Sequence, residues 1–131
     1  NGDGSLDVIF GMENDAVNTV LLNEIDNFAF KTMSLPAGES DIESDVRAMA
    51  VVLADMNGDG ILDVVVANNA IENQIFMSDG NGNYVSVPIP GNISRTEQNS
   101  RAIAVGDLNN DSILDVVVGS DFGPVKIFMS E

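Results

Sequence analysis

The sequence predicts an all-β fold built from repeated four-stranded antiparallel units. The first observation is an internal repeat: the segments NGDGSLD, NGDGILD and NNDSILD end at Asp7, Asp63 and Asp115. The second is a Val-rich run after the second and third copies, because runs that are apolar on both faces mark strands buried on both sides. The third is the turn sequence Asp-Gly-Asn-Gly-Asn at residues 79–83, which tolerates positive φ. A recurring unit of this kind determines the architecture of the chain.

The complete repeat contains four short predicted strands. The first lies at residues 50–54, before the acidic motif, and the second at residues 62–67, after it. The third spans residues 74–78. The fourth spans residues 84–89 and contains Pro88, which suits an edge strand because proline cannot donate to the ladder. The third repeat has the corresponding first three strands at residues 102–106, 114–119 and 125–130.

One segment of the first repeat has an ambiguous pattern. The apolar residues between positions 17 and 28 recur at helical spacing, which by itself indicates a helix. The repeat register, however, aligns residues 19–22 with residues 74–77, the third strand of the complete unit. We therefore predict a strand there.

Units of four strands that repeat every fifty-odd residues, each too small to bury both faces, are typical of β-propeller blades. The chain divides into a partial first repeat at residues 1–48, a complete second repeat at residues 49–100 and a partial third repeat at residues 101–131. Closing a propeller takes about four blades or more, and this chain supplies about two and a half repeats. We expect the blades to be part of a larger propeller, or to be completed by neighbouring chains.

The loop between the first and second strands is a predicted Ca²⁺ site. In the second repeat, oxygen-bearing side chains occupy loop positions 1, 3, 5 and 9, and Gly60 at position 6 allows a sharp turn. The EF-hand loop begins with the same ligand positions but closes with Glu at position 12. Ligation by several anionic oxygens favours Ca²⁺ over Mg²⁺. The predicted ligands are Asp55, Asn57, Asp59, Ile61 through its carbonyl, and Asp63.

The other two copies retain most of this pattern. In the third copy Ser112 replaces the glycine at position 6, so we expect a weaker site. In the first copy the chain begins after position 1, so the ligand set is incomplete. The predicted ligands are Asp107, Asn109, Asp111, the carbonyl of Ile113 and Asp115 in the third copy, and Asn1, Asp3, the carbonyl of Ser5 and Asp7 in the first.

An alternative interpretation of all three loops needs no ion. Asx-rich β-turns can be held by their own hydrogen bonds. We favour the ion because carboxylates packed within about 4 to 6 Å of one another repel strongly unless they are neutralised.

Composition restricts the function further. The 21 acidic and 5 basic side chains give a net charge of -16, which repels nucleic-acid phosphates and anionic membrane surfaces. We therefore expect no nucleic-acid partner, and no membrane insertion because no apolar run approaches the roughly 18 residues of a span. The sequence contains no His and no Cys, so it lacks the usual general base and the thiolate nucleophile. We expect a protein that is not an enzyme.

The segment DMNGDGILDVVVAN at residues 55–68, followed by NQIFMSDGNGNY at residues 73–84, resembles the FG-GAP or VCBS-type repeat. That family includes integrin α-subunit propellers and many secreted microbial and algal proteins. The resemblance covers essentially the whole chain. It implies propeller blades, Ca²⁺ in the acidic loops and an extracellular role in adhesion or ligand binding. The Phe-Gly and Gly-Ala-Pro signatures of integrin repeats are largely absent, which favours the microbial branch.

Three functions are weighed on this basis. The favoured one is a non-catalytic calcium-binding module, extracellular or at the cell surface, that binds a protein or glycan ligand. The second is a structural subunit of an extracellular filament or matrix, in which copies of the chain join end to end by strand addition. The third is the non-catalytic part of a carbohydrate-active enzyme. Asn92 begins an N-glycosylation sequon in a Pro-Gly-rich loop and is a candidate glycan site.

Overall fold

A computed structural model of the chain describes residues 5–11, 19–24, 29–35, 47–69, 71–89 and 99–130. These residues form strands and no helix, which confirms the predicted all-β class. No helix able to span a membrane therefore occurs in the described ranges. The strands are β1 Val8–Phe10, β2 Thr19–Glu24, β3 Ala29–Ser34, β4 Arg47–Ala54, β5 Asp63–Asn69, β6 Gln74–Ser78, β7 Tyr84–Pro88, β8 Ser100–Gly106, β9 Asp115–Ser120 and β10 Lys126–Phe128.

The strands form three antiparallel sheets. The first sheet has the order β1-β2-β3, the middle sheet β4-β5-β6-β7 and the last sheet β10-β9-β8. The middle sheet is the four-stranded unit that the complete repeat predicts. In the first sheet β2 pairs with both of its neighbours, so the strand predicted at residues 19–22 is confirmed over the helix.

Several strand boundaries differ from the predicted ones, by one to three residues. β4 begins at Arg47 rather than at residue 50, because a bulge between Ala48 and Ala50 shifts the register and lets the pairing with β5 continue. β10 ends at Phe128, earlier than the predicted residue 130. The equivalent Ser78 stays in the ladder by pairing with β7, whereas no fourth strand pairs with the last sheet among the described residues.

β5 is buried on both faces because it lies between the other two sheets. Val64 and Val66 alternate with Val65 along the strand, and all three side chains are fully buried. Burial of this kind stabilises the fold by about 1.5 to 3 kcal/mol for each valine. On one face, Val64, Val66 and Phe76 of the middle sheet pack with Val20 and Leu22 of β2 and with Leu35, which directly follows β3. On the other face it contains Val65, Ile75 and Ile89 with Val116, Val118 and Phe128 of the last sheet.

The turn predicted at residues 79–83 joins β6 to β7. Oδ1 of Asp79 accepts N–H bonds from Asn81 at 2.8 Å and Asn83 at 3.0 Å, and the Asn83 side-chain amide donates to Oδ2 at 2.7 Å. These donors, with the Asn83 side chain the strongest, hold the pKa of Asp79 below its ordinary value of 3.8. Gly80 and Gly82 adopt φ values of 74° and 89°, which the turn requires.

Candidate metal centre

Asp55 organises the loop between β4 and β5. Its Oδ1 accepts the backbone N–H of Gly58 at 2.7 Å and of Asp59 at 3.1 Å, and its Oδ2 accepts that of Gly60 at 2.8 Å. The backbone can curl around one carboxylate because the two glycines have φ of 76° and 85°. Three N–H groups that lie outside the sheet ladder thereby find one anionic acceptor.

Asn57 and Asp59 extend this arrangement along the exposed side of the loop. Oδ1 of Asn57 accepts the backbone N–H of Asp59 at 3.0 Å, and its side-chain amide donates to Oδ2 of Asp59 at 2.8 Å. Oδ1 of Asp59 accepts the N–H of Ile61 at 2.8 Å. The side chains at loop positions 1, 3 and 5 are thus linked to one another through the loop's own amides.

Asp63, predicted as the closing ligand, has a different environment. Its side chain is fully buried at the start of β5. Oδ2 accepts the backbone N–H of Met56 at 2.9 Å, and Oδ1 accepts that of Ser78 at 2.8 Å. Asp63 therefore ties the beginning of the acidic loop to the end of β6. The sequence pattern alone does not identify this role, although the repeated Asp at the start of a wholly buried strand is a signal for it.

The loop between β8 and β9 repeats this geometry bond for bond. Asp107 accepts the N–H groups of Asn110 at 2.7 Å, Asp111 at 3.2 Å and Ser112 at 2.8 Å. Asn110 and Ser112 have φ values of 65° and 70°, at the positions that glycines occupy in the loop between β4 and β5. A left-handed φ is energetically unfavourable for serine. The remaining bonds are Asp111 N–H to Asn109 Oδ1 at 2.9 Å, Asn109 Nδ2 to Asp111 Oδ2 at 2.7 Å, Ile113 N–H to Asp111 Oδ1 at 2.8 Å, Leu108 N–H to Asp115 Oδ2 at 2.9 Å and Ser130 N–H to Asp115 Oδ1 at 2.9 Å.

The donor chemistry of both loops fits a hard cation, but the carboxylates do not converge. Every predicted ligand atom is an oxygen, as Ca²⁺ prefers. Within the ranges that the structure describes, however, no three His, Cys, Asp or Glu side chains come together as a metal-holding group. The loops are held by their own hydrogen bonds, which is the geometry of the alternative Asx-turn interpretation. An ionised carboxylate has about four acceptor sites, so those of Asp55 and Asp59 retain capacity for an ion. Calcium binding stays a prediction.

The first acidic motif is described only in part. Asn1 and Asp3 lie outside the described residues, as does Asn92 of the sequon. Asp7 and Ser5 are half-buried at the start of the first sheet.

Burial raises the pKa of Tyr84. The hydrogen bond with Ser78 lowers it, and the charges of Asp7, Asp63 and Asp79 raise it further. The charge of Asp7 in the first repeat thus contributes to raising the pKa of the tyrosine in the middle repeat.

The sequence model for the FG-GAP-like repeat matches residues 1–66 and, in a second overlapping copy, residues 55–118. The chain belongs to the FG-GAP-like repeat family. The two matches overlap at residues 55–66, which contain the acidic loop of the middle repeat and the first residues of β5. The predicted family is thereby confirmed, and the three sheets are β-propeller blades of FG-GAP type.

This FG-GAP-like repeat chain is also similar to cartilage acidic protein 1 of three vertebrates. It is 24% identical to the mouse protein over 93 residues, which cover 71% of this chain and 14% of the relative. It is 23% identical to the Xenopus tropicalis protein over 97 residues, covering 74% and 15%, and 23% identical to the human protein over 93 residues, covering 71% and 14%. The match spans only a small part of these relatives. No solved structure matches the chain.

Proposed function

We propose that this FG-GAP-like repeat chain is a non-catalytic, calcium-binding extracellular module that binds a protein or glycan ligand. The observation that carries the proposal is the duplicated acidic loop: two loops in different repeats share the same oxygen-bearing side chains and the same hydrogen bonds. A surface turn needs no such set of carboxylates, since a single Asp or Asn suffices to cap it. The net charge of -16 further favours a cationic ligand.

Calcium would act mechanically in these loops. Each acidic loop joins the end of one strand to the start of the next, so ion binding contributes directly to folding free energy. Asp63 already fixes the far end of the loop by accepting two backbone N–H groups. An ion shared by Asp55 and Asp59 would neutralise the two exposed carboxylates of the same turn. Affinities of about 10⁻⁴ to 10⁻³ M would suit an extracellular module.

Membership of the FG-GAP-like repeat family supports a binding role rather than catalysis. The sequence has neither His nor Cys, and the described carboxylates of the loops already accept backbone N–H bonds that hold the loops in shape. The similarity to cartilage acidic protein 1, whose name places it in cartilage, supports an extracellular location. The ligand class that we propose, a protein or glycan, is the one that the resemblance to this family implies.

Thermal unfolding with and without calcium tests this proposal. A chelator should lower the melting temperature, and millimolar Ca²⁺, but not the same concentration of Mg²⁺, should restore it. Asp59→Asn should reduce the calcium response, because it removes one exposed loop carboxylate. Asp79→Asn is the matched control: it makes the same change in an exposed turn outside the acidic loops. A melting curve that the chelator leaves unchanged would contradict the proposed calcium binding.

The second candidate function is a structural subunit of an extracellular filament or matrix. It is favoured by the apolar side chains on the outer faces of the first and last sheets, such as Phe10 at 46% exposure and Ile127 at 57%. Side chains of this size usually indicate an interaction surface when several share one face.

A further inference from the structure

The acidic loop of the middle repeat contains an Asn-Gly dipeptide, at Asn57 and Gly58. Asparagine is thermolabile because its side-chain amide can deamidate, and a following glycine speeds the reaction because it has no side chain to hinder attack by its backbone nitrogen. The sequence contains three such dipeptides, and two lie within the described residues: Asn57-Gly58 in the loop and Asn81-Gly82 in the turn between β6 and β7. In the last repeat Asn110 takes the place of the glycine, and its side chain hinders the same attack.

Deamidation at this dipeptide begins at the backbone nitrogen of Gly58. After this nitrogen loses its proton to hydroxide, it attacks Cγ of Asn57, the C–N bond of the side-chain amide breaks, and ammonia leaves. The succinimide ring that forms then takes up water at one of its two carbonyl carbons and opens to aspartate or isoaspartate. Hydroxide and water are the co-reactants, so the rate depends on how freely the Gly58 nitrogen can lose its proton and reach Cγ.

Asp55 hinders the first step of this reaction. The N–H of Gly58 donates to Oδ1 of Asp55 at 2.7 Å. A proton held by a carboxylate is harder to remove, and the negative charge of Asp55 also repels the hydroxide that would remove it. Gly58 is exposed, and nothing lies within 4 Å of the place that a side chain would occupy. The hydrogen bond, rather than burial, therefore protects this nitrogen.

The side-chain amide of Asn57 is held as well. Its Oδ1 accepts the backbone N–H of Asp59 at 3.0 Å, and its Nδ2 donates to Oδ2 of Asp59 at 2.8 Å. Both ends of the amide are thus bound to the same residue, and Cγ can meet the Gly58 nitrogen only after these bonds break. The closed loop restrains both partners of the reaction, although both are exposed to solvent.

We propose that Asn57 is a deamidation site that the closed acidic loop protects, with the Asp55 carboxylate controlling the reaction. Opening of the loop frees the Gly58 N–H and the Asn57 amide together. Conversion replaces the amide at loop position 3 by a carboxylate, which cannot donate to Oδ2 of Asp59 and repels it. The modified loop therefore closes less readily than the original one. This modification goes beyond the proposed calcium role and does not depend on it.

Peptide mapping by mass spectrometry, after incubation of the whole chain in mildly alkaline buffer, tests the proposal. A chelator is present throughout, so the result does not depend on whether the loop binds calcium. Asp55→Ala should speed deamidation of Asn57 by at least about tenfold, because a hydrogen bond from Gly58 to a carboxylate no longer has to break. Asp107→Ala is the matched control: it makes the same change in the loop of the last repeat and should leave Asn57 at its wild-type rate.

Asn81 is a reference site within each molecule. It lies in an exposed turn outside the acidic loops, where its Nδ2 donates to the carbonyl of Asp79 at 3.2 Å. Its deamidation rate should be the same in the wild-type chain and in both variants. A variant that unfolds as a whole would instead bring Asn81 to the rate measured in denaturant. Asp55→Asn then replaces Asp55→Ala, and it should give an intermediate rate at Asn57 because one side-chain oxygen still accepts the N–H.

Two results would overturn the proposal. The first is deamidation of Asn57 that is as fast in the folded wild-type chain as in denaturant, since the closed loop would then give no protection. The second is a folded Asp55 variant in which Asn57 deamidates no faster than in Asp107→Ala, since the carboxylate would then have no control over the reaction.

Discussion

Replacing Asp63 by alanine should destabilise the protein strongly even when no calcium is present. The carboxylate is fully buried and accepts two backbone N–H bonds, from Met56 at 2.9 Å and Ser78 at 2.8 Å. A hydrogen bond to a charged group contributes about 1.5 to 3 kcal/mol, so the loss of both should cost roughly 3 to 6 kcal/mol. Small domains are stable by about 5 to 15 kcal/mol, so this loss is a large fraction of the total.

Urea unfolding in the presence of a chelator measures this loss without any contribution from an ion. Asp63→Asn should lose about half as much as Asp63→Ala, because one carbonyl oxygen still accepts one of the two N–H groups. Asp59→Asn should remain close to wild type, since its carboxylate lies on the exposed side of the same loop. A free energy of unfolding of Asp63→Ala within about 0.5 kcal/mol of the wild-type value, the usual range for surface substitutions, would show that the two hydrogen bonds do not stabilise the fold.

Two further predictions concern the turn at loop position 6 and the single tyrosine. Ser112→Gly should stabilise the chain and Gly60→Ser should destabilise it, each by about 1 kcal/mol, because both positions have a left-handed φ; urea melts showing the same sign for both would contradict this. The absorbance titration of Tyr84 should have its midpoint above 10.0 in the folded chain and return to 10.0 in denaturant, because burial favours the neutral phenol. The contribution of the neutral phenol to the free energy of unfolding is fully present below pH 10 and is lost as the pH rises through the pKa of the folded state. Equal titration midpoints in the folded and denatured chains would be inconsistent with burial of Tyr84.

The strands and their packing could be predicted from the sequence where the repeat and the apolar pattern agree. The run of valines in β5 identifies a strand buried on both faces, and the structure places it between two sheets. The repeat register also overrides the helical spacing around β2, because Leu22 occupies the place of Met77. The repeat period and the apolar alternation can both be read from the sequence, and both depend on how the strands pack in the fold.

The sequence could not supply what depends on atomic positions. It places Asp63 in the acidic motif but does not reveal that both carboxylate oxygens point at backbone amides of Met56 and Ser78. The bulge between Ala48 and Ala50 leaves no trace in the apolar pattern, because residues 48–54 are all apolar and show no alternation that a shift of one residue could interrupt. The burial difference between Ile75 and Ile127 is likewise invisible, because the two residues are identical and only their neighbours differ.

Backbone amide chemical shifts during a calcium titration test the central claim most directly. Gly60 and Ser112 occupy position 6 in the two complete acidic loops, so each reports on one predicted ion. Both amide signals should shift saturably with Ca²⁺, with midpoints at about 10⁻⁴ to 10⁻³ M and the weaker binding at Ser112, and should not respond comparably to Mg²⁺. Amide signals that stay in place up to about 10 mM Ca²⁺, ten times the weak end of that range, would contradict the account.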